Sequence, residues 1–422
     1  MKSLLFILLL FCLIAPTFCI AGKFWQITDQ HYDWIYKYKS KPHSGECRTG
    51  EGDAGFYGDY DCDIPWLTVE SAVQEMAKIE PNVDFVINSG DTWPHAGGSA
   101  EQKLQTIANV TNILRKYFPN TPVFYSPGNH DFEPKHDCAP GANAWLARMA
   151  DAISPILTTE QKKTYLQGGY YSQVIEGIRV VIINTILYYG HNHYTTNAEG
   201  DLSNQYAFIT SQLDEAYEND EKVLFVGHVS PGFEERFGDM GFHEKFNEPF
   251  LKVFEEHPHK EVILASLYGH LHSDSFRLSE NAGPLLLSPA LTPWKNYHTK
   301  LGVPNNLGMG RLFTYNKIDK ALLKYEQYYA DLQTCNEDMT LKWQLEYDTS
   351  QEPYYMQDLS LLSFEKLFYK MKNDEDLFNK YLDFNIVMYK TGCDSDCKIR
   401  QFCALKFLHK DDFDICKIIH DY

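Results

Sequence analysis

The strongest constraint on how this 422-residue chain folds is a series of short polar motifs, each placed where an apolar run ends. Lys23 to Thr28 runs into Asp29-Gln30-His31, and Val83 to Asn88 runs into Gly90-Asp91. Pro122 to Tyr125 leads to Gly128-Asn129-His130-Asp131, Val223 to Val226 to Gly227-His228, and Val262 to Leu267 to Gly269-His270-Leu271-His272. Short continuous Val, Ile, Leu and Phe runs suit strands buried on both faces. Helical spacing separates several of them, as in Leu67 to Ile79 and Ala100 to Phe118. Strands alternating with helices predict an α/β sandwich. Ligands in such folds gather beyond the carboxyl ends of the strands, where these motifs fall. Further strands are expected at Arg179 to Asn184, Leu285 to Leu287, Arg311 to Tyr315 and Ala321 to Tyr329.

Taken singly, each motif reads as a turn or a structural histidine. Together, Asp29, His31, Asp91, Asn129, His228, His270 and His272 supply seven ligands to one crevice. One ion would take Asp29, His31 and His272, a second Asn129, His228 and His270, and Asp91 would bridge them. Mixed imidazole and carboxylate donors suit Zn²⁺, Mn²⁺ or Fe better than Mg²⁺ or Ca²⁺. Two ions roughly 3.5–4 Å apart acidify a water between them and clamp a phosphoryl group, which is the chemistry of phosphate-ester hydrolysis.

Charge and compartment narrow the substrate. With 38 Lys and Arg against 57 Asp and Glu the formal charge is −19, so long nucleic acids are excluded as partners. A small phosphate ester is not excluded, because a metal ion supplies local positive charge. Lys2, the apolar run Leu4 to Ile14 and the small residues up to Ala21-Gly22 have the form of a secretory signal, with cleavage expected after Ala21. No later run approaches the roughly 20 apolar residues of a spanning helix. Eight of the ten cysteines follow the signal, and in an oxidising compartment they read as a disulfide set, with a zinc knuckle at Cys393, Cys397, Cys403 and Cys416 as the weaker alternative. Asn109-Val110-Thr111 is a glycosylation sequon. From about Asp338 the chain turns helical and rich in Phe and Tyr.

The ordered blocks D-x-H, G-D, G-N-H-D, G-H and G-H-x-H resemble the calcineurin-like metallophosphoesterases. That resemblance implies a four-layer α/β/β/α sandwich. Purple acid phosphatases carry a Tyr three residues after the bridging Asp; here Pro94 stands there, so a coloured Fe(III) site is not expected. The Arg that follows the same Asp in Ser/Thr protein phosphatases is also absent from Gly90-Asp91-Thr92-Trp93-Pro94-His95. Instead His95, Asp274-Ser275-Phe276 and Leu291-Thr292-Pro293-Trp294 are similar to acid sphingomyelinase and the sphingomyelinase-like phosphodiesterases. The resemblance implies two Zn²⁺ ions per chain and terminal disulfides Cys393–Cys397 and Cys403–Cys416, which leaves Cys138 and Cys335 to pair by elimination. The chain departs from the family in two places. No room is left for a saposin domain ahead of the first strand, and the Asn-Pro-x-x-Arg segment becomes Asn306-Leu307-Gly308-Met309-Gly310-Arg311, leaving a substrate role for Arg311 open.

The resulting expectation is a signal peptide (1–21), a metallophosphoesterase catalytic domain (22–337) and a small helical, disulfide-stapled C-terminal region (338–422), secreted or lodged in the lysosomal lumen. Its activity would be hydrolysis of sphingomyelin to ceramide and phosphocholine, with transient contact at a membrane surface. The alternatives are a phosphodiesterase of nucleotides or CDP-choline, and an inactive binding protein on the same fold. His130, its ring oriented by Asp131, would stabilise the transition state and protonate the leaving oxygen. His95 is a second candidate acid. Trp93, Trp294 and Tyr297 are candidates for contact with lipid or a base, and His191 and His193 are expected in an exposed loop.

Overall fold

The structure is a computed structural model that describes residues 21–43, 45–236, 238–279, 283–294 and 304–420. The signal segment before Ala21 and the candidate contact Tyr297 lie outside the described residues.

The strands are, in chain order, β1 (Ala21–Ile27), β2 (Phe85–Asn88), β3 (Val123–Tyr125), β4 (Tyr171–Ile175), β5 (Ile178–Ile182) and β6 (Lys222–Val226). β7 (Ile263–Tyr268), β8 (Ser275–Arg277), β9 (Leu285–Leu287), β10 (Leu307–Asn316), β11 (Leu322–Ala330) and β12 (Gln344–Asp348) follow. They form two mixed sheets, ordered β12-β11-β10-β1-β2-β3 and β4-β5-β6-β7-β9-β8. β1, β2 and β3 are parallel in the first sheet, and β5, β6, β7 and β9 in the second. The helices are α1 (Trp66–Ile79), α2 (Ala100–Tyr117), α3 (Ala144–Ala152), α4 (Thr159–Gly168), α5 (Gln205–Glu218) and α6 (Glu244–Glu255). α7 (Leu332–Asp338), α8 (Leu361–Asn373), α9 (Glu375–Asn385), α10 (Ser395–Lys406) and α11 (Lys410–Ile419) complete them.

Alternation along the first sheet builds two cores. Phe24, Phe85, Ile87 and Phe124 point toward the second sheet and share a cluster with Val180, Leu224 and Leu267. Trp25, Ile27, Val86 and Val123 point the other way, onto Val69, Val73 and Met76 of α1 and Val110 and Leu114 of α2. A period-2 strand can be apolar on both faces only when both are covered. Helices therefore flank both sheets, as the four-layer expectation requires, with α5 against β5 and β6. The α2 start is fixed by a capping box, Ser99 accepting from the Gln102 N–H and the Gln102 side chain accepting from the Ser99 N–H.

The C-terminal helices cover the β8 edge, which would otherwise present unpaired backbone groups. Leu278 N donates to Leu405 O at 2.8 Å, and Asp274 N donates to Asn385 O at 2.9 Å. One part of the segment expected to be helical is a strand: β12 pairs antiparallel with β11, Tyr347 opposite Gln327. Its exposed Gln344 and Leu345 break the alternation by which a half-buried strand is recognised.

Disulfides join Cys47–Cys62, Cys393–Cys397 and Cys403–Cys416, which replaces the zinc-knuckle reading of the last four. Cys138 and Cys335 do not pair. Cys138 belongs to the core between the sheets and Cys335 to the one beneath α1, so the first sheet separates them. Asn109 falls inside α2, and Thr111 of the sequon is buried.

Arg311 is fully buried in β10, far from any substrate role. It pairs with Asp274, donates from Nε to Gln327 Oε1 at 3.1 Å and lies 4.5 Å over the Tyr325 ring. Removing one partner of a buried pair leaves the other charge uncompensated, so Arg311→Ala should cost about 3–5 kcal/mol. Urea unfolding measures the loss, and bound metal should be unchanged in the folded protein.

Candidate metal centre

Five parallel strands deliver the candidate ligands from their carboxyl ends: β1 gives Asp29 and His31, β2 Asp91, β3 Asn129, β6 His228, and β7 His270 and His272. The loops lock together through the backbone. Asp29 N donates to Gly90 O at 2.9 Å and His31 N to Asp91 O at 3.0 Å. The glycines of the motifs permit this approach. A Cβ on Gly128 would lie 2.1 Å from Asp91 Oδ1, and one on Gly269 would lie 2.4 Å from Asp29 Oδ2. Five of the seven candidate ligands (Asp29, His31, Asp91, His270 and His272) sit at φ between 42° and 71°, where non-glycine residues are strained. The surrounding loops bear that cost and aim these side chains at one point.

All seven side chains meet there. Ligand atoms of Asp29, His31 and Asp91 lie within 4.8 Å of one another, as do those of Asp91, His228 and His270. His228 Nε2 is 3.1 Å from both Asp91 Oδ2 and Asn129 Oδ1, and His31 Nε2 is 3.2 Å from His272 Nε2. The His31 and His228 rings are oriented from behind, Nδ1 donating to Trp93 O at 2.8 Å and to Ser89 O at 2.7 Å. A carbonyl only accepts, so Nε2 is the atom turned toward the carboxylates.

The electrostatics of this cluster call for cations. Burial would raise the Asp29 and Asp91 carboxyls, but His228 and the other imidazoles outweigh it and hold both well below the usual carboxylate range. Burial would conversely lower His31 and His228, and the two carboxylates instead raise each to about 9. Two buried carboxylates thus draw protons onto the imidazoles that face them. A divalent ion displaces such protons and meets the same charge demand. The donor set fits divalent metal on that count.

Asp131 does not orient His130. It accepts from the backbone N–H groups of Asp91, Thr92 and Gly128 and from the Tyr125 hydroxyl, tying the loops after β2 and β3 together. The His130 ring lies edge-on to His95, centroids 4.4 Å apart, and its Nδ1 is buried without a partner. Burial, then the His95 and His31 charges, holds its pKa well below the ordinary histidine value. His95 is stacked between His31 (4.0 Å) and Trp294 (3.8 Å), and it also groups with His31 and His272 around one point.

Sequence reasoning missed the residue that holds His95. Asp63 accepts from His95 Nδ1 at 2.8 Å and from its backbone N–H at 2.6 Å, and it is buried, its pKa raised to about 6 by burial. No motif marks it, 32 positions upstream and just past the Cys47–Cys62 loop. Asp63→Asn should keep the bound metal and lower kcat by about 10- to 100-fold, the usual effect of removing an orienting partner. An unchanged kcat would take His95 out of the chemistry. His136 was missed as well: Asn129 Nδ2 donates to its Nδ1 at 2.9 Å, turning Asn129 Oδ1 toward His228.

The cluster opens into a cavity of about 570 Å³ lined by Asp91, His95, His130, His270, His272 and Trp294 on one side. Lys135, His136, His191, Glu234, Glu235, Arg236 and Asp239 also line it, so its wall carries both signs of charge. His191 and His193 are both exposed, as expected; His191 also lines the pocket, and His193 pairs with Asp137. Trp93 is buried and contacts nothing outside.

Residues 22–274 match the calcineurin-like phosphoesterase family, and residues 281–421 match the acid sphingomyelin phosphodiesterase C-terminal region. The chain is 34% identical to sphingomyelinase phosphodiesterase C of Dictyostelium discoideum, over 98% of this chain and 97% of that protein. It is 34% identical to human acid sphingomyelinase-like phosphodiesterase 3b and 32% identical to human cyclic GMP-AMP phosphodiesterase SMPDL3A, each over 94% of this chain and 90% of the relative.

Proposed function

The chain belongs to the calcineurin-like phosphoesterases, in the acid sphingomyelinase-like phosphodiesterase branch, and on that premise we propose that it hydrolyses sphingomyelin to ceramide and phosphocholine with two zinc ions. Phosphodiester hydrolysis with divalent metal follows from the family; the substrate, the zinc and the count of two are the proposal's own. The observation that carries it is the convergence of seven candidate metal ligands, Asp91 among them, where the cluster opens into the pocket.

In this reading Asp29, His31 and His272 would hold one ion and Asn129, His228 and His270 the other, with Asp91 available to either. When bound, the ions supply an acidified water and positive charge for the phosphoryl oxygens. The chain's own residues do the rest. Asp131 and the strained loops fix the ligands in place before substrate arrives. His130 and His95, at the mouth of the cluster, bind the phosphoryl group and deliver the proton to the leaving oxygen. Residues 22–337 carry this machinery, and 338–422 add β12 to the first sheet and cover the β8 edge of the second. A secreted or lysosomal setting agrees with the three disulfides, and among the described residues no helix is long and apolar enough to cross a membrane.

A second reading, cleavage of nucleotides or CDP-choline, is favoured by one feature of the pocket. Lys135, His191 and Arg236, none of them a candidate metal ligand, line it beside Glu234, Glu235 and Asp239 and would hold a second phosphate group. The test offers sphingomyelin vesicles, ATP and CDP-choline separately, with and without chelator, and identifies products by mass spectrometry. Chelator-sensitive release of phosphocholine and ceramide supports the first reading. Nucleotide cleavage with intact sphingomyelin replaces it with the second, and no turnover by metal-loaded protein leaves a binding protein.

A further inference from the structure

A lipid substrate must reach the pocket, and Trp93, expected at the lipid surface, is buried. The exposed apolar groups near the pocket lie elsewhere. Directly after His31 and Asp33 the chain reads Trp34-Ile35-Tyr36-Lys37-Tyr38-Lys39-Ser40-Lys41. Trp34 is 42% exposed, Ile35 and Tyr38 are 39% exposed, and all three lysines are exposed. Lys39 Nζ lies 5.1 Å over the Tyr38 ring, and among the described residues none of the three lysines forms a salt bridge.

The segment is held rigidly against the pocket wall. Lys37 N donates to Cys47 O at 2.7 Å and Lys41 N to Thr49 O at 3.0 Å, so 37–41 runs beside 45–49, which the Cys47–Cys62 disulfide pins. Gly45, in that inner stretch, packs against Trp294 and His95, both in the pocket wall. At its base Arg48 forks onto Asp33 at 2.9 and 3.1 Å and donates to Gly97 O at 3.0 Å. The apolar groups thus stand one strand outside the pocket wall, and no ordering cost remains to be met on contact.

We infer that residues 34–41 dock the enzyme on a bilayer of zwitterionic phospholipid, with Trp34, Ile35 and Tyr38 in the headgroup region and Lys37, Lys39 and Lys41 reaching its phosphates. Trp and Tyr rings partition to that depth because one end is apolar and the other polar. Lysines beside them bury their stems and keep the ammonium in water. Glu46, Glu51 and Asp53 balance the three lysines and Asp33 neutralises Arg48, so the loop has no net positive charge to draw it to anionic lipid. Binding should therefore depend weakly on salt. This inference deepens the sphingomyelinase reading and rests on it for its purpose, though the docking itself is measured apart from catalysis.

The test uses the full chain, with cosedimentation on phosphatidylcholine–sphingomyelin vesicles and hydrolysis of soluble bis(4-nitrophenyl) phosphate. The Trp34→Ser/Ile35→Ser variant should bind vesicles about tenfold or more weakly, with hydrolysis of the soluble diester unchanged. Lys37→Glu/Lys39→Glu, confined to exposed positions, should lose binding in the same way, while Trp34→Phe should retain it. Parent protein that does not bind vesicles, or variants that bind as the parent does, would overturn the inference. Loss of binding on Ile418→Ser alone, at the exposed end of α11, would move the surface elsewhere. Parent protein that binds vesicles but cleaves only nucleotides would leave the docking intact and remove the sphingomyelinase reading.

Discussion

Asp91→Ala is expected to lose bound metal and phosphodiesterase activity together, with kcat falling by at least ~10³-fold. Asp91 lies closer to both halves than Asp29, whose Oδ1 is 3.7 Å from His31 Nε2 and 3.9 Å from His228 Nε2. Asp91 Oδ2 lies 3.1 Å from His228 Nε2 and 3.6 Å from His31 Nε2, and Oδ1 accepts from the His130 backbone N–H at 2.7 Å. Without it, two imidazoles that face carboxylate in the native site face each other and Asp29 alone, and a cation loses its shared donor. Asp91→Asn keeps the volume and one acceptor oxygen but not the charge, so it separates shape from electrostatics and should resemble the alanine variant. Metal content by mass spectrometry, read beside turnover of bis(4-nitrophenyl) phosphate, decides the outcome. An active, metal-free variant would sink the shared-ligand scheme.

The candidate ligands were legible because their positions are backbone requirements. A residue just past a parallel strand points into the crevice, and the preceding glycine is there because a Cβ on Gly128 or Gly269 would strike the next loop. Both facts are local, so the sequence carries them. The supporting residues were not legible, because their relations are long-range. Asp63 holds His95 across 32 positions, with α1 and β2 between them and only an unremarkable Cys-Asp-Ile around it. His136 grips Asn129 from seven residues on, at φ 75°, through a turn that no periodicity announces.

Adjacency in sequence does not give contact in space at two further positions. Asp131 follows His130, yet its carboxylate points back at the N–H groups of the loops after β2 and β3, which a tight turn leaves without strand partners. Arg311 drew attention as the end of an altered motif, but its place in β10, covered on both faces, sends the guanidinium into the interior to pair with Asp274. The same logic hid β12, whose sequence has no alternation because it is an edge strand held by one neighbour.

His130→Ala is the counterpart of the Asp91 experiment: it should keep bound metal and lose about 10²- to 10⁴-fold in kcat, the range of a positioned general acid. The contact His130 makes with a candidate ligand is through its backbone N–H to Asp91, and alanine preserves that N–H. The ring itself makes no hydrogen bond through Nδ1, though it lines the pocket and lies among His31, His95 and His136 at centroid distances of 4.8, 4.4 and 5.2 Å. A buried, unpartnered nitrogen in a substrate pocket is costly to the fold, and a partner arriving with substrate recovers that cost. Burial and the neighbouring positive charges press the ring toward its neutral form, and a bound phosphodiester anion opposes both. Protonation is then coupled to substrate binding, which is what a leaving-group acid requires. His130→Gln, which restores a donor but cannot transfer a proton, should recover substrate affinity without recovering kcat. If His130→Ala instead releases metal, the ring belongs to the ligand set and the acid must be His95 on Asp63.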